Sequence, residues 1–222
     1  MTYDAVVFDM DGVLVTGRHT DPAVYEAAVE AALAERGVAA DADGETVSTL
    51  AKPDGAEQFR AACADLGVPA DELWAEREAR ASELENERIA AGERALYDDV
   101  DALEDLPADR ALGVVSNNRH ATVEFVVDHF GLDRFGAAYG RDPTLEGFRR
   151  LKPDPHYVER ALADLGATPS AALYVGDRRT DVQAAYNAGC DAALLDRPDV
   201  VPGEGPDPTH RVDSLADLRA LL

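Results

Sequence analysis

Lysine is nearly absent from this chain: Lys52 and Lys152 are the only two in 222 residues. Arginine does not restore the balance, because lysine and arginine together number 21 against 44 acidic residues, a formal net charge of −23. No basic face is expected, which excludes nucleic acid and anionic lipid as partners. Cysteine is scarce as well, and Cys63 and Cys190 fall far apart in the chain. Buried free thiols are expected, not a disulfide framework or a zinc site. No apolar run is long enough to span a bilayer, and the first residues lack a charged stretch followed by an apolar run and cleavage site. No membrane association is expected, and a soluble, cytoplasmic protein is. Internal repeats are absent.

What the chain does contain is apolar residues, at 46%. The acidity therefore coats a folded surface and does not mark a disordered tail. An acidic, lysine-poor surface rich in Ala and Asp resembles that of a salt-adapted protein, such as one from a halophilic archaeon. The length suits one domain with an insertion or two modest domains.

The apolar run Ala5–Phe8 reads as a buried strand of a parallel sheet, and it stops at Asp9-Met10-Asp11-Gly12. Asp21-Pro22 then signals a helix start, N-cap followed by first-turn proline, with Tyr25, Val29 and Leu33 at helical spacing before Gly37. Two more helices are expected, from Pro53 through Phe59 to Gly67 and from Pro69 through Trp74 and Leu84 to Gly92. No strand-like run occurs between Pro22 and Gly92. The pattern changes at Arg94. Residues 97–106 read as a short acidic helix, and strands are expected at 111–115, 135–139, 172–175 and 192–195. Helices are expected between them, over residues 123–130, 155–165 and 181–188, and a last one over 213–222. Alternating strands and helices imply right-handed crossovers and an α/β, doubly wound parallel sheet, with the all-helical stretch inserted after the first strand.

Three of these strands end in polar residues: Asp9 and Asp11, Ser116 and Asn117, and Asp177 with Asp181 one turn on. Strands of one parallel sheet share a carboxyl edge, where open α/β sheets bind ligands. Two acids at the end of a buried strand are costly unless a cation or a reaction needs them. With Lys152, the edge holds carboxylates for a cation, a hydroxyl, an amide and one ammonium. That inventory suits a phosphoryl group, since Mg²⁺ takes hard oxygen ligands and a carboxylate can attack phosphorus.

Four motifs in order, Asp9-Met10-Asp11-Gly12-Val13, Ser116-Asn117, Lys152-Pro153 and Gly176-Asp177-Arg178-Arg179-Thr180-Asp181, make the chain resemble the haloacid dehalogenase superfamily. The resemblance is to its branch with a helical cap after the first motif, the phosphoglycolate phosphatase-like branch, and it covers nearly the whole chain. It implies a Rossmann-like core over 1–16 and 94–222 and a cap over 17–93. It implies Asp9 as nucleophile and Asp11 as the acid that protonates the leaving oxygen and later helps deprotonate water. It also implies Mg²⁺ held by Asp9, the carbonyl of Asp11, Asp177 and Asp181, and phosphate held by Ser116, the N–H of Asn117 and Lys152. The implied activity is hydrolysis of a small phosphorylated metabolite, a phosphate monoester such as phosphoglycolate, through an aspartyl-phosphate.

Asp11 narrows the reaction. The dehalogenase branch lacks an acid there, and the phosphonate-cleaving branch has alanine and a cap lysine. A phosphoglucomutase-like transfer fits Asp11 but nothing demands it. A receiver domain uses similar residues at about half this length, and a non-enzymatic Mg²⁺-binding relative would not need intact catalytic acids. Lone carboxylates at strand ends are usually helix caps, and Asp41-Ala42-Asp43 is read as a chance pair. Lys52-Pro53 mimics the third motif but precedes Ser116, so Lys52 is not given that role; it is read as a loop lysine or as one that reaches substrate from the helical insertion. Arg18, His19 and His120 are read as residues beside the site, either ordinary or touching substrate, and His129, His156 and His210 show no ligand spacing. Tyr25, Phe59 and Trp74 are read as packing.

Overall fold

In the computed structural model, residues 3–17, 20–198 and 200–222 are described; Arg18 and His19 lie outside them. Six parallel strands form one sheet: β1 (Ala5–Phe8), β2 (Ala111–Arg119), β3 (Phe135–Arg141), β4 (Ala172–Gly176), β5 (Asp191–Leu195) and β6 (His210–Val212). Their order is β3-β2-β1-β4-β5-β6, so the first strand lies centrally between β2 and β4. The doubly wound parallel sheet read from the sequence is present.

Side chains alternate across a strand, and the apolar residues of β1 supply both faces. Val6 and Phe8 join Leu112, Val114, Leu173 and Val175 in one core, which α5 (His120–His129) covers with Val123 and Val126. Ala5 and Val7 join Val115 and Tyr174 in the other, beneath α7 (His156–Asp164) and α8 (Arg179–Asn187). Residues 97–106 form a 3₁₀ segment, Asp98–Asp105, whose Val100 and Leu103 pack on the first core beside a second such segment, Leu215–Ala220.

Between β1 and β2 the chain is helical among the described residues: α1 (Pro22–Glu35), α2 (Gly44–Ala51), α3 (Ala56–Asp65) and α4 (Ala70–Ala90). Asp21 caps α1 as expected, its carboxylate accepting from the N–H of Ala23. These helices share an apolar core of their own around Leu33, Leu50, Phe59, Cys63 and Trp74. The rings of Phe59 and Trp74 meet edge to face at 4.9 Å. A short helix from the sheet side, α6 (Leu145–Arg149), inserts Leu145 and Phe148 into the same core. Both cysteines are buried and free, and no helix among the described residues is long and apolar enough to cross a membrane.

The structure differs from the sequence reading in four places. Helix α2 was unforeseen; its start is an Asp43 cap on the N–H of Thr46, a signal hidden in an acidic, Gly-containing stretch. Strand β6 lies in a stretch left unassigned, just before the expected last helix, and it is only three residues long. The expected helix over 213–222 is the 3₁₀ segment. Finally, β2 runs on through Ser116, Asn117 and Asn118. Its register against β3 shifts between Val115 and Arg119, paired with Tyr139 and Arg141, so these residues sit in a bulge, not beyond the strand.

Phe59→Ala should cost about 3–5 kcal/mol of unfolding free energy, from lost transfer and the residual cavity. Denaturant unfolding checks this; a loss below about 1 kcal/mol would show that the helical core is loosely packed.

Candidate functional site

The carboxyl edge of the sheet gathers the residues singled out from the sequence. β1 delivers Asp9, whose N–H donates to the carbonyl of Val175 on β4. The chain then doubles back: the N–H groups of Val13, Leu14 and Val15 all reach the carbonyl of Met10. Gly12 at the bend has φ +84°, and a Cβ there would lie 2.3 Å from Asp177 Oδ2. Only glycine lets this turn press against that carboxylate. On β4, a Cβ at Gly176 would lie 2.3 Å from the Cβ of Asp181, so a second glycine sets the approach of the start of α8 to the strand end.

Lys152 is buried at the centre. Its Nζ lies 2.8 Å from Asp9 Oδ1 and 2.7 Å from Asp181 Oδ1, and it donates to the Tyr174 hydroxyl at 2.9 Å. Asn117 holds the backbone of this lysine: its Oδ1 accepts from Lys152 N at 2.8 Å and its Nδ2 donates to the Lys152 carbonyl at 3.5 Å. The β2 bulge is what turns that amide toward the third motif. Ser116 Oγ is buried and accepts from the N–H of Asn118 at 3.1 Å. Burial opposes the charge on Lys152, but Asp181 and Asp9 outweigh it and hold the ammonium well above its usual range.

Asp9, Asp177 and Asp181 each present an oxygen within 4.8 Å of the others, and all three are buried. Burial raises Asp9 most; Lys152 draws it down and the other two carboxylates push it up, to about 8. Burial and Asp181 lift Asp177 to about 6. Asp181 is partly spoken for, since its Oδ2 accepts from the N–H of Arg178. Asp177 is not: it is fully buried and both its carboxylate oxygens lack a hydrogen-bond partner among the described residues. Arg178 Nε approaches only to 3.8 Å. Buried polar atoms are normally satisfied, so this orphaned carboxylate among hard oxygen donors fits a divalent cation such as Mg²⁺.

The carboxylate of Asp11 stands apart from that cluster. Its Oδ1 lies 2.5 Å from Arg94 Nη2 and its Oδ2 accepts from Asn118 Nδ2 at 3.0 Å. Arg94 also reaches Glu85 on α4 at 2.9 Å and the carbonyl of Thr16. Sequence reading missed Arg94, Asn118 and Tyr174. Asn118 adjoins a motif, but Tyr174 sits inside an apolar strand and Arg94 marked only a change of pattern. Tyr25, read as packing, lines a cavity of about 460 Å³ between the helices and the sheet edge, together with Asp11, Lys52, Asn118 and Arg141. Lys52, in the loop just past α2, stands on the wall of that cavity. His120 accepts from the N–H of Gly140 and stacks on Tyr139, away from the carboxylate cluster.

Residues 3–189 match the family model described as haloacid dehalogenase-like hydrolase. Over 98 residues the chain is 37% identical to the pyrophosphatase PpaX of Bacillus velezensis, covering 44% of this chain and 43% of that one. The chain spans about half the length of the curated relatives it matches. A Lactobacillus plantarum chain assigned as a phosphoglycolate phosphatase superposes over the full length of both chains, with a TM-score of 0.61 at 25% identity. CbbY from Rhodobacter sphaeroides, solved with phosphate, superposes over 98% of this chain and 96% of its own with a TM-score of 0.65. At 21% identity the latter is a likeness of fold.

Raised carboxylate pKa values carry a stability consequence. The unfolded chain releases these protons near pH 4, the folded chain only near 6 for Asp177 and 8 for Asp9. The stability is therefore present below about pH 4 and lost as pH rises through 6 to 8. Metal-free protein should show a Tm that falls over this window. Added Mg²⁺ should raise Tm more at pH 8 than at pH 5, because it needs the ionised carboxylates. Asp177→Asn should be at least as stable without metal and lose most of the Mg²⁺ response. A pH-independent Mg²⁺ effect in both proteins would remove the site.

Proposed function

The chain belongs to the haloacid dehalogenase-like hydrolases, and from that premise we propose that it is a Mg²⁺-dependent phosphatase of small organic phosphate monoesters. The observation that carries this reading is the buried Asp177, whose carboxylate accepts no hydrogen bond among the described residues, beside Asp9 and Asp181, with Lys152 bridging the latter two. Asp9 attacks phosphorus and becomes an aspartyl-phosphate, and the leaving alkoxide takes a proton from Asp11. Water then attacks the acyl phosphate while Asp11 accepts its proton. Lys152, the Ser116 hydroxyl and the N–H of Asn117 bind phosphoryl oxygens and offset their charge. Asp9, the carbonyl of Asp11, Asp177 and Asp181 would hold Mg²⁺, which supplies further neutralisation of phosphoryl charge when bound.

Residues 1–16 and 94–222 serve in this reading as the catalytic core and 17–93 as a cap. Two facts support the division: the helices have a core of their own, and the chain crosses between the parts at one paired seam. There Thr16 N–H bonds the carbonyl of Ala95, and Tyr97 N–H bonds that of Leu14. A cap over the edge keeps water from the reacting centre and favours small substrates. The stretch resembling a pyrophosphatase favours a second substrate type, a phosphoanhydride cleaved by the same Asp9.

With p-nitrophenyl phosphate, a panel of small phosphate esters and pyrophosphate, Mg²⁺-dependent hydrolysis is expected. Asp9→Asn should lower kcat by roughly 10⁴-fold or more, and Asp11→Asn by about 10²–10⁴-fold. Rates equal to wild type in Asp9→Asn would remove the assigned nucleophile.

The net charge of −23 also supports a salt-adapted surface, since like charges repel until salt screens them. Thermal unfolding should shift upward from dilute buffer into molar KCl; a flat or falling Tm would refute the adaptation.

A further inference from the structure

Arg77 and Arg141 line the cavity beside Asp11, and Arg119 lies against Tyr25, which also lines it. The guanidinium carbons of Arg77, Arg119 and Arg141 lie 4.5, 5.0 and 5.9 Å from the ring centre of Tyr25. All three arginines are buried. A single carboxylate, Glu78 on α4, serves two of them: it receives Arg141 at 2.7 and 3.0 Å and also pairs with Arg77. Arg119 reaches no carboxylate among the described residues. It donates to the hydroxyls of Ser82 and Thr20, and its Nη1 has no partner. In a chain with twice as many acids as bases, two buried cations sharing one carboxylate, beside a third that reaches none among the described residues, is a costly arrangement unless another anion joins them.

The surplus registers on the neighbours. Burial would raise the Tyr25 phenol, yet Arg141 and Arg119 bring it below its usual range. Burial, with Arg141 and Arg119 beside it, pushes Arg77 down to about 10 although Glu78 opposes this. Donors also remain to spare. A guanidinium has five N–H groups; Arg77 directs its bonds to the carbonyls of Leu50 and Ala51 and to Glu78, and Arg141 to Glu78, Asn117 and Tyr25. Lys52 adds a cation at the exposed rim of the same cavity, where it has no ion-pair partner among the described residues. The acids on the cavity wall are Glu26, which is exposed, and Asp11, which Arg94 already pairs.

We propose that the substrate carries a second anionic group, a carboxylate or a second phosphate, which docks against Lys52 and the Arg77–Arg141 wall while its phosphoryl group faces Asp9. Planar guanidinium forks suit either oxyanion. A volume of about 460 Å³ fits a substrate of a few carbons at the small end of ligand pockets. A neutral ester of the same length leaves the cationic wall uncompensated. This assignment rests on the phosphatase reading for the identity of the first group, and its test is chosen to be independent of turnover.

Calorimetric titration with Mg²⁺ present, at fixed ionic strength, compares three non-hydrolysable probes: propylphosphonate, 3-phosphonopropionate and propane-1,3-diyl bisphosphonate. Wild type should bind at least one of the two doubly anionic probes about tenfold or more tightly than propylphosphonate, the scale of one charge-assisted contact. Whichever probe is preferred identifies the second group. Lys52→Ala, an exposed change, should cut the preference severalfold, whereas Arg60→Gln, which removes an exposed charge away from the cavity, should not. Equal binding of all three probes by wild type, or a preference that Lys52→Ala leaves intact or that Arg60→Gln reduces equally, would overturn the proposal. A protein that hydrolyses no ester yet shows the preference loses the phosphatase reading and keeps this one.

Discussion

A single ammonium group makes the sheet edge possible. Three buried carboxylates within 4.8 Å of one another repel strongly where little water screens them. Lys152 Nζ sits between two of them, at 2.8 Å from Asp9 and 2.7 Å from Asp181. Its position depends in turn on the Asn117 amide, which clamps the lysine backbone, and on the Tyr174 hydroxyl. The β2 bulge, the two close-approach glycines and the strand order all serve to bring these groups to one point. Asp177 is not bonded to Lys152 and meets Arg178 only at 3.8 Å, and its carboxylate, which accepts no hydrogen bond among the described residues, is the electrostatic opening for a divalent cation.

The seam between the helices and the sheet is held by a different kind of contact. Helix α4 buries a polar stripe, and three of its members meet an arginine from the sheet side: Glu78 with Arg141, Ser82 with Arg119, Glu85 with Arg94. Buried polar contacts of this kind define geometry sharply but add little net stability compared with apolar packing. Interfaces within a chain that are polar in this way allow relative motion more readily than large apolar ones. Arg94 joins Glu85 and Asp11 in one network, so the position of α4 and the orientation of the Asp11 carboxylate are mechanically linked.

Much of this was legible in the residues. Apolar runs ending in carboxylates marked the strands β1 and β4 and their functional ends, because burial on both faces forces a continuous apolar run. Gly37, Gly67 and Gly92 punctuated the helices as expected, all three at positive φ. The parts that stayed hidden share a feature: their signals are short or tertiary. β6 has three residues and exists because β5 offers an edge. α6 is five residues, held by Leu145 and Phe148 in a core far from it in sequence.

The sequence by itself determined the architecture and the inventory of reactive groups, since periodicity and strand-end chemistry are local properties of the chain. It could show that Asp9, Asp177, Asp181 and Lys152 belong to one edge. Only the tertiary structure decided how they pair, because ion pairing depends on distances of a few ångströms that no spacing encodes. It separated Asp11, bound to Arg94 and Asn118, from the carboxylate cluster. It also set three arginines around Tyr25, which packs on the helical cores as read from the sequence, because α4 and the ends of β2 and β3 meet there only in the folded chain.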